Sequence, residues 1–185
     1  MNRALCVVLL AMISRPALAQ SRITFGVDGG VAISGGDLGN QGSSGVFGSV
    51  SGLVGKPGAR TRIGLEVNYQ RMQLDSVTYY PPCCDPLPPV QFQGEVWQSY
   101  GVMARIEYTI TGGLYAMGGA GMLSRTRTPD PDHPVALKSK STDSAAQAGL
   151  GFRIGNRFAL EARLINIFTV NASERMFPIT AGVRF

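Results

Sequence analysis

The chain has 185 residues, a formal net charge of +5, 24 glycines and one histidine. That length fits one domain, and its basic and acidic residues are interspersed without a Lys/Arg stripe, which excludes a nucleic-acid footprint. After residue 19 no apolar run reaches the ~20 residues of a membrane-spanning helix.

Residues 1–19 read as a secretory signal. Arg3 gives a positive start, Leu5 to Ile13 an apolar run, and Ala17-Leu18-Ala19 a small-x-small cleavage site before Gln20. The run is too short to span a bilayer, and Arg15 interrupts it. Cleavage leaves residues 20–185. Seventeen basic residues then become fifteen against twelve acids, a net charge of +3.

Apolar/polar alternation then recurs in blocks of about ten residues. The first strand is expected at 23–33, with Ile23, Phe25, Val27, Val31 and Ile33 on one face and Asp28 opposite. The second, at 45–54, has Val46, Val50 and Val54 in phase, but Phe47 and Leu53 fall on the other face and leave its phase open. The third, at 61–73, sets Ile63, Leu65, Val67 and Tyr69 against Arg62, Glu66, Asn68 and Gln70. The fourth, at 95–110, sets Tyr100, Val102, Ala104, Ile106, Tyr108 and Ile110 against Trp97, Ser99, Met103, Arg105 and Glu107. The fifth, at 114–126, is rich in Gly and Ala, so its phase also stays open. The sixth, at 143–154, opposes Ala146, Ala148, Leu150, Phe152 and Ile154 to Gln147 and Arg153. The seventh, at 158–167, opposes Phe158, Leu160, Ala162 and Leu164 to Glu161 and Arg163. The last runs from Phe177 to Phe185, with Ile179, Ala181 and Val183 on the apolar face and Pro178, Thr180 and Arg184 on the other.

Connections alternate in length. Residues 55–60, 111–113 and 155–157 are short and have turn chemistry. Residues 34–44, 75–94, 127–142 and 168–176 are long, and their Gly, Pro, Ser and Asp content resists regular structure. This is the pattern of periplasmic turns and extracellular loops. A membrane chain without spanning helices needs a closed barrel, because every backbone amide in lipid requires a partner. The expected fold is therefore all-β: an eight-stranded antiparallel up-and-down transmembrane barrel with short periplasmic turns and long extracellular loops. A soluble binding barrel is the competing arrangement, with the two faces exchanged.

The charges on the polar faces decide between them. They are Asp28, Arg62, Glu66, Arg105, Glu107, Arg153, Glu161, Arg163 and Arg184, with no lysine. A solvated surface would mix in lysine, whereas a guanidinium fork suits confined pairing with carboxylates. These nine residues are read as an ion-pair lattice inside a narrow barrel filled by side chains. A gate or narrow conduction path is the functional alternative.

With these features the chain resembles the small eight-stranded outer-membrane barrels of the outer-membrane protein A and X type. The resemblance covers nearly all of residues 20–185 and implies a location in the bacterial outer membrane among lipid and lipopolysaccharide. The ending Ile179-Thr-Ala-Gly-Val-Arg-Phe185 is similar to the family's insertion signal, read by the barrel-assembly machinery. Ile179, Ala181, Val183 and Phe185 would carry it. Larger relatives continue into a peptidoglycan-binding domain; this chain is expected to stop at the barrel. The resemblance is specific for architecture and weak for activity.

No cofactor motif is present, and a monomer is expected. Cys6 lies in the signal, leaving Cys83 and Cys84 adjacent in a Pro-rich loop. They could close a strained ring, stay as thiols or bridge to another molecule. Tyr79, Tyr80 and the prolines make loop 75–94 a candidate for partner contact. His133, near Ser139, Ser141 and Ser144, is the one candidate for hydrolytic or lipid A-modifying chemistry, but a proline-rich loop tip does not fix a triad. Asp130, Asp132 and His133 match no strong metal spacing. Arg71, Arg125 and Arg127, at the extracellular strand ends, would meet lipopolysaccharide phosphates. The functional expectation is a structural or surface-interaction role without a wide pore, since an aqueous channel takes ~16 strands. A low-conductance solute channel is the alternative.

Overall fold

The computed structural model describes residues 22–36, 44–56, 59–73, 77–79, 90–92, 96–128, 139–155, 157–169 and 173–185. Cys83, Cys84, Asp130, Asp132, His133 and the signal segment lie outside them. Among the described residues there are ten strands: β1 (Arg22–Gly36), β2 (Ser44–Gly55), β3 (Thr61–Gln73), β4 (Val77–Tyr79), β5 (Val90–Phe92), β6 (Val96–Thr111), β7 (Leu114–Thr128), β8 (Ser139–Ile154), β9 (Phe158–Phe168) and β10 (Ser173–Arg184). Eight of them close a barrel in the order β1-β10-β9-β8-β7-β6-β3-β2, every pair antiparallel.

The first and last strands meet at Val27↔Val183, and the Phe25 and Phe185 backbones exchange hydrogen bonds of 3.2 and 2.9 Å. No edge is left unpaired there, as a lipid environment demands. The β10–β9 ladder skips Phe177 and Pro178, because proline has no N–H to give. Gly112 and Gly155 have φ of 52° and 62°, a region costly for other residues, and each closes a short turn.

One expectation is corrected. Segment 75–94 is not wholly irregular, because β4 and β5 pair with Val77↔Phe92 and Tyr79↔Val90. Each triplet is β-branched and aromatic in character, which favours pairing, and the prolines fall between the two. β7 and β8 also run further toward the loops than expected, with Arg127↔Ser139 still paired.

The aliphatic set faces outward. Ile23, Leu65, Val67, Leu150 and Ile179 are each more than half exposed, and Phe185 is 76% exposed. Strand phases open in the sequence are fixed by closure. Phe47 and Leu53 of β2 point inward, as do Tyr115, Met117 and Leu123 of β7, while Met122 points out.

Candidate functional site: the filled lumen and its two ends

Eight of the nine charged residues expected inside do meet in the half of the lumen next to the short turns. Each comes from an inward position of the wall: Asp28 from β1, Glu66 from β3, Arg105 and Glu107 from β6, Arg153 from β8, Glu161 and Arg163 from β9, and Arg184 from β10. Arg105 pairs with Glu66, with Glu107 at 2.6 Å and with Glu161 at 2.6 Å. Arg163 pairs with Glu66 at 2.7 Å and with Glu161, its Nε donating at 2.9 Å. Arg184 bridges Asp28 at 2.6 Å and Glu161 at 2.5 Å. Arg153 pairs with Glu107. Four carboxylates thus meet four guanidiniums, and the lattice is neutral. Balance matters because an isolated charge taken from water is far more expensive than a paired one.

Glu161 is the hub. Besides three arginines it accepts a hydrogen bond of 2.5 Å from the Tyr115 hydroxyl. The Tyr115 ring in turn lies 4.3 Å under the Arg153 guanidinium. The open phase of β7 hides Tyr115 from a reading of the sequence. Its ring is accommodated by Gly151, where a Cβ would collide with it, and a Cβ at Gly182 would collide with the Asp28 carboxylate. Glycines opposite long side chains therefore make room for the lattice in a narrow cylinder.

Arg62 is the exception. It faces Glu107 in register, yet it stays half-buried at the turn end and makes no ion pair among the described residues. Glu107 is already taken by Arg105 and Arg153, so a ninth charge has no partner left.

Toward the loops the lumen holds an apolar cluster among the buried polar side chains of Asn68, Gln70, Ser99 and Gln147. Ala32, Phe47, Met72, Met103, Leu123, Ala145, Ile165, Ile167 and Met176 form one buried cluster, with Trp97 packed against it. Phe47 joins the two layers, with the Arg163 guanidinium 5.3 Å from its ring. The alternation of single strands does not announce this plug, although a signal is present. Met72, Met103, Ile165 and Met176 are in phase with the charged residues of their strands, not with the outward aliphatics.

At the loop end a cavity of about 110 Å³ is lined by Trp97, Arg125, Thr126, Arg127, Ser141 and Glu174. Arg125 donates to Asp143 at 2.9 and 2.7 Å and pairs with Glu174. Arg127 lies 4.5 Å from the Trp97 ring. Of the three arginines expected to meet lipopolysaccharide, Arg125 is therefore directed into the barrel and Arg127 onto Trp97, while Arg71 stays exposed on the outer face. Ser141 donates to Asp143 at 2.8 Å, and Ser144 is exposed on the outer face.

A closed eight-stranded barrel with an aliphatic exterior and a charge-paired interior defines the class of small membrane barrels. Over residues 4–185 the chain matches the outer membrane protein beta-barrel domain family. It belongs to that family and is a bacterial outer-membrane barrel. Its fold is similar to the N-terminal β-barrel domain of Pseudomonas aeruginosa OprF, 16% identical, with a TM-score of 0.59 over 90% of this chain and 100% of that one. It is similar to Yersinia pestis Ail in complex with the heparin analogue sucrose octasulfate, 14% identical, with a TM-score of 0.55 over 89% and 97%. It is also similar to Pseudomonas aeruginosa OprG, 11% identical, with a TM-score of 0.55 over 88% and 95%. Comparison with curated protein sequences gives no match.

Proposed function

We propose that this protein is a closed, monomeric scaffold of the outer membrane that acts through its loop end, and not a channel or an enzyme. The observation that carries this reading is the stacking of two seals in one narrow lumen: a neutral lattice centred on Glu161 and an apolar cluster centred on Met103 and Leu123. Ions crossing it would have to break paired charges and then pass the narrow level of the apolar cluster, and each step is unfavourable. The interior charges are held by one another, which leaves none poised as a nucleophile or base.

In this reading residues 1–19 are removed on export, the short turns face the periplasm, and the barrel-assembly machinery reads Ile179, Ala181, Val183 and Phe185. The segment between β4 and β5, which bears Cys83 and Cys84 in sequence, is the surface for an extracellular partner. Purified protein in planar bilayers tests the proposal. The expected record is free of unitary conductance steps; steady steps that scale with salt would overturn it in favour of a solute channel.

A further inference from the structure

The charges left over by the lumen are shared unevenly between the two ends. Lys56 and Arg60 stand in the β2–β3 turn and Arg157 in the β8–β9 turn, with Arg22 and Arg62 at the strand ends beside them. Arg22 lies opposite Gly55 in register and so adjoins Lys56. Four of the five are exposed, Arg62 is half-buried, and none makes an ion pair among the described residues. None of the twelve acidic residues of the chain falls within three positions of segments 56–60, 111–113 or 155–157. The loop end differs, since Arg125 there is met by Asp143 and Glu174. Folding therefore gathers four exposed cations at one rim, where the neighbouring sequence supplies no carboxylate to offset their repulsion, while Arg62 lies opposite Glu107 in register.

Their height along the barrel indicates what offsets it. Phe25, Tyr108, Phe152, Phe158 and Phe185 are exposed on the outer wall near this end, and aromatic belts of this kind sit at lipid headgroup level. Arg157 directly precedes Phe158, and its carbonyl accepts a 2.6 Å hydrogen bond from the backbone N–H of Arg184, beside Phe185. The Arg60 carbonyl accepts a 2.7 Å bond from the Thr109 N–H, beside Tyr108. Arg22 lies three residues beyond Phe25. At ~3.3 Å per strand residue, these offsets carry the cations from the belt into the phosphate layer. Arg22 lies on β1, and Lys56, Arg60 and Arg157 lie next to the ends of β2, β3 and β9, in turns too short to project a platform toward the cell wall.

We propose that the turn-end rim is a docking surface for anionic phospholipid headgroups, with Arg22, Lys56, Arg60 and Arg157 pairing with phosphodiester oxygens of the periplasmic leaflet. Guanidinium and ammonium donors match those oxygens. The assignment to that leaflet rests on the reading that the short turns face the periplasm.

The test uses the single tryptophan. In a Trp97→Phe background, Tyr108→Trp places a fluorescent reporter at the turn-end belt, and brominated phosphatidylglycerol competes with brominated phosphatidylcholine to quench it in vesicles of the two lipids. The expected result is a preference of about fivefold for the anionic lipid at low salt, falling toward parity at high salt. The variant Lys56→Gln/Arg60→Gln/Arg157→Gln, checked for a folded barrel by heat-modifiable migration on gels, is expected to lose most of that preference. Equal quenching by the two lipids, or a preference that survives the triple variant, overturns the proposal. Binding to purified peptidoglycan sacculi that needs the same cations, without a lipid preference, overturns it too and reassigns the rim to the cell wall. Symmetric vesicles offer the same lipid to both ends, so this outcome does not depend on orientation. Orientation is read separately, from labelling of Lys56→Cys in a Cys83→Ser/Cys84→Ser background with an impermeant maleimide on intact cells. Labelling there would place the turns outside the cell and overturn the assignment to the periplasmic leaflet.

Discussion

Replacing Glu161 with Gln removes one charge from the hub and keeps its volume. In the wild-type lumen this carboxylate accepts from Arg105, Arg163, Arg184 and Tyr115. After the change three carboxylates face four guanidiniums, and the new amide N–H₂ is turned toward at least one of them. Removing one partner of a buried ion pair costs about 3–5 kcal/mol, because the remaining charge stays desolvated. Adding Arg184→Gln, which releases Asp28 and Glu161 together, restores a count of three against three. The double variant is then expected to be less destabilised than the sum of the singles, with a coupling of about 1–3 kcal/mol. Urea titration of the folded barrel in lipid vesicles, followed by Trp97 fluorescence and by gel migration, measures all four corners of this cycle. Single losses below ~1 kcal/mol, or losses that simply add, would mean that the lumen is wet enough to screen these charges, and the lattice argument would fail.

Four further outcomes follow from the same geometry. Val67→Arg, at mid-height on the lipid-facing wall, should cost ~2–4 kcal/mol in vesicles; a neutral effect in the same titration would argue against an aliphatic face turned to lipid. Met103→Ala removes a fully buried member of the apolar plug and should lower stability by about 2–5 kcal/mol without opening a conductance in planar bilayers. Gly182→Ala drives a methyl group into the Asp28 carboxylate and should lower the temperature of the gel-migration shift, more than Gly29→Ala, whose Cβ meets nothing nearby. Phe185→Ala should reduce assembled, heat-modifiable barrel in cells; undiminished assembly would contradict the role assigned to the last strand.

Alternation makes the barrel legible in the amino-acid sequence. A strand such as β3 repeats its pattern over six or more residues, and period two leaves one assignment of faces. The charged set is legible for a related reason: arginine and glutamate in phase on a strand whose other face is aliphatic have few places to go. Arg62 shows where that reasoning stops. It is in phase with Glu66, but pairing depends on which carboxylates remain free once Arg105 and Arg153 have taken Glu107. Arg125 shows it again, since strand-end position alone does not distinguish an outward cation from one bound to Asp143 and Glu174. The apolar plug escapes a strand-by-strand reading because inward methionines and isoleucines look like interruptions of a polar face until the opposite walls are brought together.

The sequence by itself determined the eight strands of the barrel and the two faces of six of them, because each is a local property of consecutive residues and backbone pairing in lipid admits no other arrangement. Closure decided the rest. Which charges neutralise one another, which strands bring Tyr115 to Glu161, and how Met72, Met103 and Met176 join one cluster are contacts across a cylinder. They depend on register and on the narrow bore of eight strands, quantities that no single segment encodes.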